Sequence, residues 1–340
     1  MNGQEISSTD PAVQASGSLN YRFDIVKRSR LWFTLSLAVL LVGLTSMAFS
    51  LASLGTPLRL GLDFSGGTLL DLSFEQAITT EELRQALQKH NLGSSIIQLD
   101  TTTSQDALIR MPPLLEEERL AVEATLREEV GTFERNLVET VGPTVGRLLL
   151  RSGILAVLIS FGLIVVYLSL RFQLDYAVFA ILALLHDVVL TMGVFAFLGL
   201  TVGMEVDSLF VVALLTIIGF SVNDTVVIYD RIRENRRLIS RKVSFAEVVN
   251  LSLNQTFARS LNTTLTTMLP LIAITIWGGV TLKGFAIALL VGFGFGVYSS
   301  IFIASPLLVW WRQRRSARFV EEVNADRDPQ QLPSDSPSSL

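Results

Sequence analysis

The chain has 340 residues, half of them hydrophobic and only 17% charged, with a net charge of −4 and a mean hydropathy of +0.49. That composition belongs to a polytopic membrane protein and argues against a soluble enzyme. With no cysteine and two histidines, His90 and His186, disulfides, thiolate metal sites and a histidine-rich metal centre are excluded.

Residues 1–20 lack hydrophobic periodicity and are rich in Ser, Gly and Gln, so a disordered tail is expected. An apolar run follows at 31–54, preceded by Arg22, Lys27, Arg28 and Arg30. It is about the ~20 residues that a span requires. It is too long for a signal peptide and has no small-residue cleavage site, so it reads as a retained first transmembrane helix with the N-terminus in the cytoplasm. From 56 to 145 the pattern changes to alternating strands and amphipathic helices in the order β-α-β-β-α-β, which predicts a small α+β ferredoxin-like domain. That segment holds 15 acids and 7 bases, with no basic patch for nucleic acid.

Five further spans are predicted at 148–170, 174–198, 208–229, 260–277 and 284–311, a five-helix transmembrane bundle over 148–311. The expected fold is a polytopic α-helical membrane protein of six transmembrane helices, with the ferredoxin-like domain between the first and second. The segment 230–259 carries seven Lys or Arg, and the last span is followed by Arg312, Arg314 and Arg315. The connection 201–207 has Glu205 and Asp207 and no base. Positive charge therefore marks both termini and 230–259 as cytoplasmic and places 56–145 outside, in the periplasm. Within the loop, Ser244 and Glu247 form a capping box that predicts a short helix leading into the fifth span. Residues 319–340 are polar and rich in Pro and Ser, as a second disordered cytoplasmic tail would be. In the last span Gly284, Ala288, Gly292, Gly296, Ser300 and Ala304 recur every four residues. This stripe predicts a helix-packing face, within the chain or between subunits.

Ionisable groups inside apolar spans are costly and are read first as functional. His186 and Asp187 lie near the middle of one span, Asn223 and Asp224 in the cytoplasmic half of another, and Arg259 opens a third whose first turns hold Thr263, Thr264 and Thr267. A proton path needs a titratable carboxylate, a fixed cation and a polar lining. Asp224, Arg259 and the group Asn223, Thr263, Thr264 and Thr267 supply these, with His186 and Asp187 as a second station. Other chemistry is missing from the pattern. GLDFSGGT (61–68) has phosphate-loop glycines but Gly67 where Lys is required, and a strand follows it. No nucleophile elbow accompanies either histidine. Neither an enzyme active site nor a cofactor is called for.

Five motifs in order, GLDFSGGT, ETVGPTVG (139–146), His186-Asp187, GFSVNDTVVIYDRIREN (219–235) and ARSLNTTLTT (258–267), resemble the SecF family of bacterial protein export. The resemblance covers about residues 21–311. It implies six spans, membership of the resistance-nodulation-division superfamily, a heterodimer with SecD, and association with the SecYEG channel and the translocating preprotein. It further implies use of the proton-motive force in late, ATP-independent steps of translocation, with functional roles for the residues matching Asp224 and Arg259. The location it implies is the bacterial inner membrane, or a thylakoid membrane in a cell that has one. A proton-coupled exporter of small molecules or lipids from the same superfamily is the alternative, and a passive membrane scaffold a third class.

Overall fold

The computed structural model describes residues 21–99, 104–239 and 243–325. The expected tail 1–20 and residues 326–340 of the other lie outside them. Helix α1 (Ser29–Leu54) ends at Gly55, whose φ of +76° lets its N–H close the last turn on the Leu51 carbonyl. A single helical turn, α2 (Leu62–Ser65), then leads into a small domain. Its elements run β1 (Gly67–Phe74), α3 (Thr80–Gln88), β2 (Ile96–Leu99), β3 (Asp106–Met111), α4 (Glu116–Glu129) and β4 (Phe133–Val141). All three strand pairings are antiparallel and the sheet order is β2-β3-β1-β4. One face, carrying Leu70, Leu72, Phe74, Ile109 and Met111, is buried with Leu83, Leu87, Val122 and Leu126 of α3 and α4. The Gly66-Gly67 pair is a backbone device. Its φ values are +73° and +135°, and a Cβ on Gly67 would lie 2.6 Å from the Met111 carbonyl oxygen.

The remaining helices are α5 (Pro143–Arg171), α6 (Leu174–Thr201), α7 (Ser208–Leu238), α8 (Phe245–Trp277), α9 (Val280–Ser299) and α10 (Ser305–Ala325), with a π turn over Ser300–Ala304 joining the last two. With α9, the π turn and α10 counted as one helix and α1 included, six helices among the described residues are long and apolar enough to cross a membrane, as in a multi-pass membrane protein. Several differ from expectation. The short helix expected in 230–259 is continuous with the fifth span: Ser244 and Glu247 do form the capping box, but α8 then runs unbroken to Trp277. Nothing between 245 and 269 is Gly or Pro, so no residue interrupts the backbone where the short helix was expected to end; Pro270 lies further on, inside the helix. Helix α7 continues nine residues past the expected end at 229, because charge ends burial in lipid without ending helical hydrogen bonding. For the same reason residues 319–325, expected in the disordered tail, prolong α10.

Two sets of contacts fix which ends of the helices lie together. At one end the Asn250 side chain accepts from the Ile25 and Val26 N–H groups and donates to Asp24, while Asn254 brackets the Phe23 backbone. At that same end Arg312 pairs with Asp175 at 2.6 Å and lies over the Tyr176 and Phe245 rings. At the opposite end the small domain is mounted on the connection between α6 and α7. Gly61 donates to the Val206 carbonyl at 2.7 Å, and Val206 returns a bond to Arg59 at 2.9 Å. Asp63 accepts from both the N–H and hydroxyl of Ser208. Glu205 pairs with Arg110 and Arg59. Asp207 caps α7 through the Phe210 N–H at 2.9 Å. Burial, with Asp63 nearby, holds the Asp207 carboxyl above its ordinary value.

Candidate functional site

Two polar nodes lie among the membrane helices, each centred on one carboxylate. The first is Asp187, which is 0% exposed. Its Oδ2 accepts from Ser221 of α7 at 2.6 Å and from Ser299 of α9 at 2.7 Å. Its Oδ1 lies 3.0 Å from Nδ1 of His186, whose Nε2 is 2.5 Å from the Ser36 hydroxyl of α1. Four helices, α1, α6, α7 and α9, thus meet at one imidazole and one carboxylate. A second bond, 2.7 Å between Thr225 and Ser300, ties α7 to the first residue of the π turn. There the Ser305 hydroxyl donates to the Ser300 carbonyl at 3.1 Å.

Asp224 is the second node, 8% exposed and one helical turn beyond Ser221. Its Oδ1 accepts from Ser260 of α8 at 2.5 Å, and its buried Oδ2 has no partner among the described residues. Arg259 forms no ion pair with it among the described residues. Successive helical residues point about 100° apart, so placing Ser260 on Asp224 turns Arg259 outward, where it is exposed. The residues expected as one seam therefore separate. Asp224 and buried Thr264 face the α7–α8 contact, whereas Asn223, Thr263 and Thr267 are exposed on the outside of this chain. Thr263, Thr264 and Thr267 all donate to carbonyls three or four residues back in their own helix.

The small-residue stripe resolves in part. A Cβ on Gly292 would run into Ile217, and one on Gly296 would lie 3.3 Å from Ser221, so both face α7 within this chain. Gly284 has no atom within 4 Å of such a Cβ. A close backbone approach lies elsewhere, between Gly43 of α1 and Gly193 of α6, where an added Cβ on Gly193 would be 2.6 Å from the Gly43 Cα.

Sequence reasoning passed over the hydroxyls that hold the carboxylates. Ser221 and Ser260 had a signal: one lies a turn before Asp224 and the other follows Arg259. Ser36 and Ser299 are hydroxyls in apolar runs, and only the packing shows their role.

The family model for the protein export membrane protein SecD/SecF, C-terminal, matches residues 121–314, and the SecD/SecF GG motif matches 52–78. The latter contains the Gly66-Gly67 turn. Protein translocase subunit SecF of Synechocystis sp. is 50% identical over 309 residues, covering 87% of this chain and 96% of its own. That of Acidaminococcus fermentans is 41% identical over 298 residues, covering 86% and 98%. Protein translocase subunit SecDF of Thermus thermophilus is 40% identical over 262 residues, covering 76% of this chain and 35% of its own. The crystal structure of SecDF from the same organism matches with a TM-score of 0.73 and 37% identity, over 86% of this chain and 39% of that one. This chain thus spans little more than a third of the fused relative. All are named as translocase components, a transport function and not an enzymatic one. The chain belongs to the SecF family of protein translocase subunits.

Proposed function

We propose that this chain, an accessory subunit of the Sec translocase, carries protons through Asp224 and works with a SecD half. Proton flow would assist late, ATP-independent movement of a preprotein through SecYEG. One observation carries the reading: Asp224 is a buried carboxylate in an apolar span, with one oxygen held by Ser260 and the other unpartnered. Proton transfer needs an acceptor whose lone pair is not already engaged. The Oδ2 of Asp224 accepts no bond among the described residues, whereas Oδ2 of Asp187 accepts two and its Oδ1 lies against His186. Asp187 and His186 then serve as the hub on which α1, α6, α7 and α9 turn.

The exposed polar face of α7 and α8, with Asn223, Arg259, Thr263 and Thr267, supports a partner in the membrane, since a guanidinium facing lipid is costly. The fused SecDF relative contains a further stretch longer than this chain, as a SecD partner requires. In the assembled pair that partner brings Arg259 and its own polar groups to the space beside Asp224. An orientation with both termini in the cytoplasm of a bacterial cell is supported by Arg22, Lys27, Arg28, Arg30 and Arg312 clustering at one end. The opposite end carries the small domain, in the periplasm. A ferredoxin-like reading of that domain is supported by its βαββαβ element order and its antiparallel four-stranded sheet.

The test uses vesicles containing SecYEG, SecD and this chain, with and without a proton gradient. Asp224→Asn keeps the size and the Ser260 contact but cannot titrate. Insertion and SecD association should persist while gradient-dependent export falls to the level without a gradient. Gradient-dependent export that survives this change would return Asp224 to a structural role.

A further inference from the structure

The free face of the four-stranded sheet does not look into open solvent. It roofs a cleft of about 580 Å³ whose other wall is the α6–α7 connection, the start of α7 and the first turns of α9. Strand register sets out this roof. In one row Ile96, Arg110, Leu69 and Glu139 are cross-strand neighbours, and in the next Gln98, Leu108, Asp71 and Leu137. All eight line the cleft. A sheet face opposite the core ordinarily carries polar groups. Here Leu69, Ile96, Leu108 and Leu137 alternate with charged and amide side chains instead.

We propose that this cleft binds an extended, unfolded polypeptide segment. The inference rests on the translocase reading, in which that segment belongs to the preprotein. Apolar groups alternating with polar ones offer a place to either kind of side chain without requiring a particular sequence. The rim favours basic or neutral residues: five carboxylates line the cleft against two cations, Arg110 and Lys283. Arg110 is already paired with Glu205, while Glu139 has no ion pair among the described residues. Asp71 receives one long bond from Asn136, at 3.4 Å. The same balance disfavours an anionic lipid headgroup, which needs a surplus of Lys and Arg. The cleft is also held open by its mounting, because Asp63, Glu205 and the Gly61 and Val206 backbones fix the sheet to the helices.

The chain has no cysteine, so a single introduced cysteine carries a photoreactive benzophenone at a unique position. Gln98→Cys and Leu137→Cys place it in the cleft. Leu115→Cys, at the exposed start of α4, places it outside. In vesicles with SecYEG, SecD and a preprotein arrested midway, adducts to the preprotein should form from the two cleft positions and not from position 115. Adding Asp71→Lys and Glu139→Lys should reduce them severalfold. Cleft adducts no stronger than those at 115, or adducts to lipid or SecD that are the same with and without preprotein, would overturn the proposal. Export in the same vesicles separates the two readings. Gradient-stimulated export without cleft adducts removes only the cleft, whereas export indifferent to the gradient removes the translocase reading beneath it.

Discussion

The two carboxylates differ in what surrounds them, and that difference predicts opposite sensitivities. Asp187 accepts from Ser221 and Ser299 and contacts Nδ1 of His186, so removing its oxygens strands these polar groups at a buried position. A buried donor or acceptor left unsatisfied costs about 1–3 kcal/mol, so Asp187→Leu should destabilise the bundle by about 3 kcal/mol or more. Asn at that position retains an acceptor, and the serine hydroxyls can rotate to accept from its amide. Thermal unfolding of the purified protein in detergent should therefore show a large loss for Asp187→Leu, recovered in most part by Asp187→Asn, with little change for Asp224→Asn. Equal melting of all three variants would mean that Asp187 is no hub. A normal melt for Asp187→Asn, joined to lost gradient-dependent export, would make it a proton carrier as well.

Among the helices, small residues allow close approach at several places, and the sequence displayed the Gly292–Gly296 face but not the Gly43–Gly193 crossing. The four-residue stripe of the last span was legible because it repeats, and Gly292 and Gly296 do pack on α7. The Gly43–Gly193 crossing was not legible, since one glycine on each of two helices makes no pattern. Similar reasons explain the rest. Strand order followed from alternation, and the positions of Asp187 and Asp224 from charge in apolar runs. The outward turn of Arg259 and the π turn depend on what each helix meets. In a membrane, van der Waals contact at such crossings replaces the hydrophobic drive between helices. Gly193→Leu should therefore part α1 from α6 and, with them, the Ser36–His186 contact, lowering the yield of folded protein. The atoms nearest an added Gly292 Cβ all belong to the Ile217 side chain, so Ile217→Ala should rescue Gly292→Ala in a double-mutant cycle. Absence of rescue would place the damage outside this contact.

At the scale of the whole molecule, the small domain is tied to the helices that carry the two carboxylates. Its mount, Arg59 to Asp63, bonds to residues 205–208, which join α6, with Asp187, to α7, with Asp224. A change in the α6–α7 relation thus reaches the domain through a few bonds, without a flexible linker between. Cutting those bonds should separate proton flow from work. Asp63→Ala removes two hydrogen bonds to a charged acceptor, each worth about 1.5–3 kcal/mol, and Glu205→Ala frees Arg110 and Arg59. Both leave Asp224, Ser260 and the Asp187 hub untouched. In the double variant, backbone amides of residues 59–64 and 203–208 should exchange with solvent faster, because local opening no longer breaks the mount. Proton uptake by vesicles containing SecD should persist, while gradient-dependent export declines toward the level without a gradient. Faster exchange with undiminished export would show that the domain need not move with the helices. Unchanged exchange would show instead that the Gly61 and Val206 backbone bonds suffice to hold it.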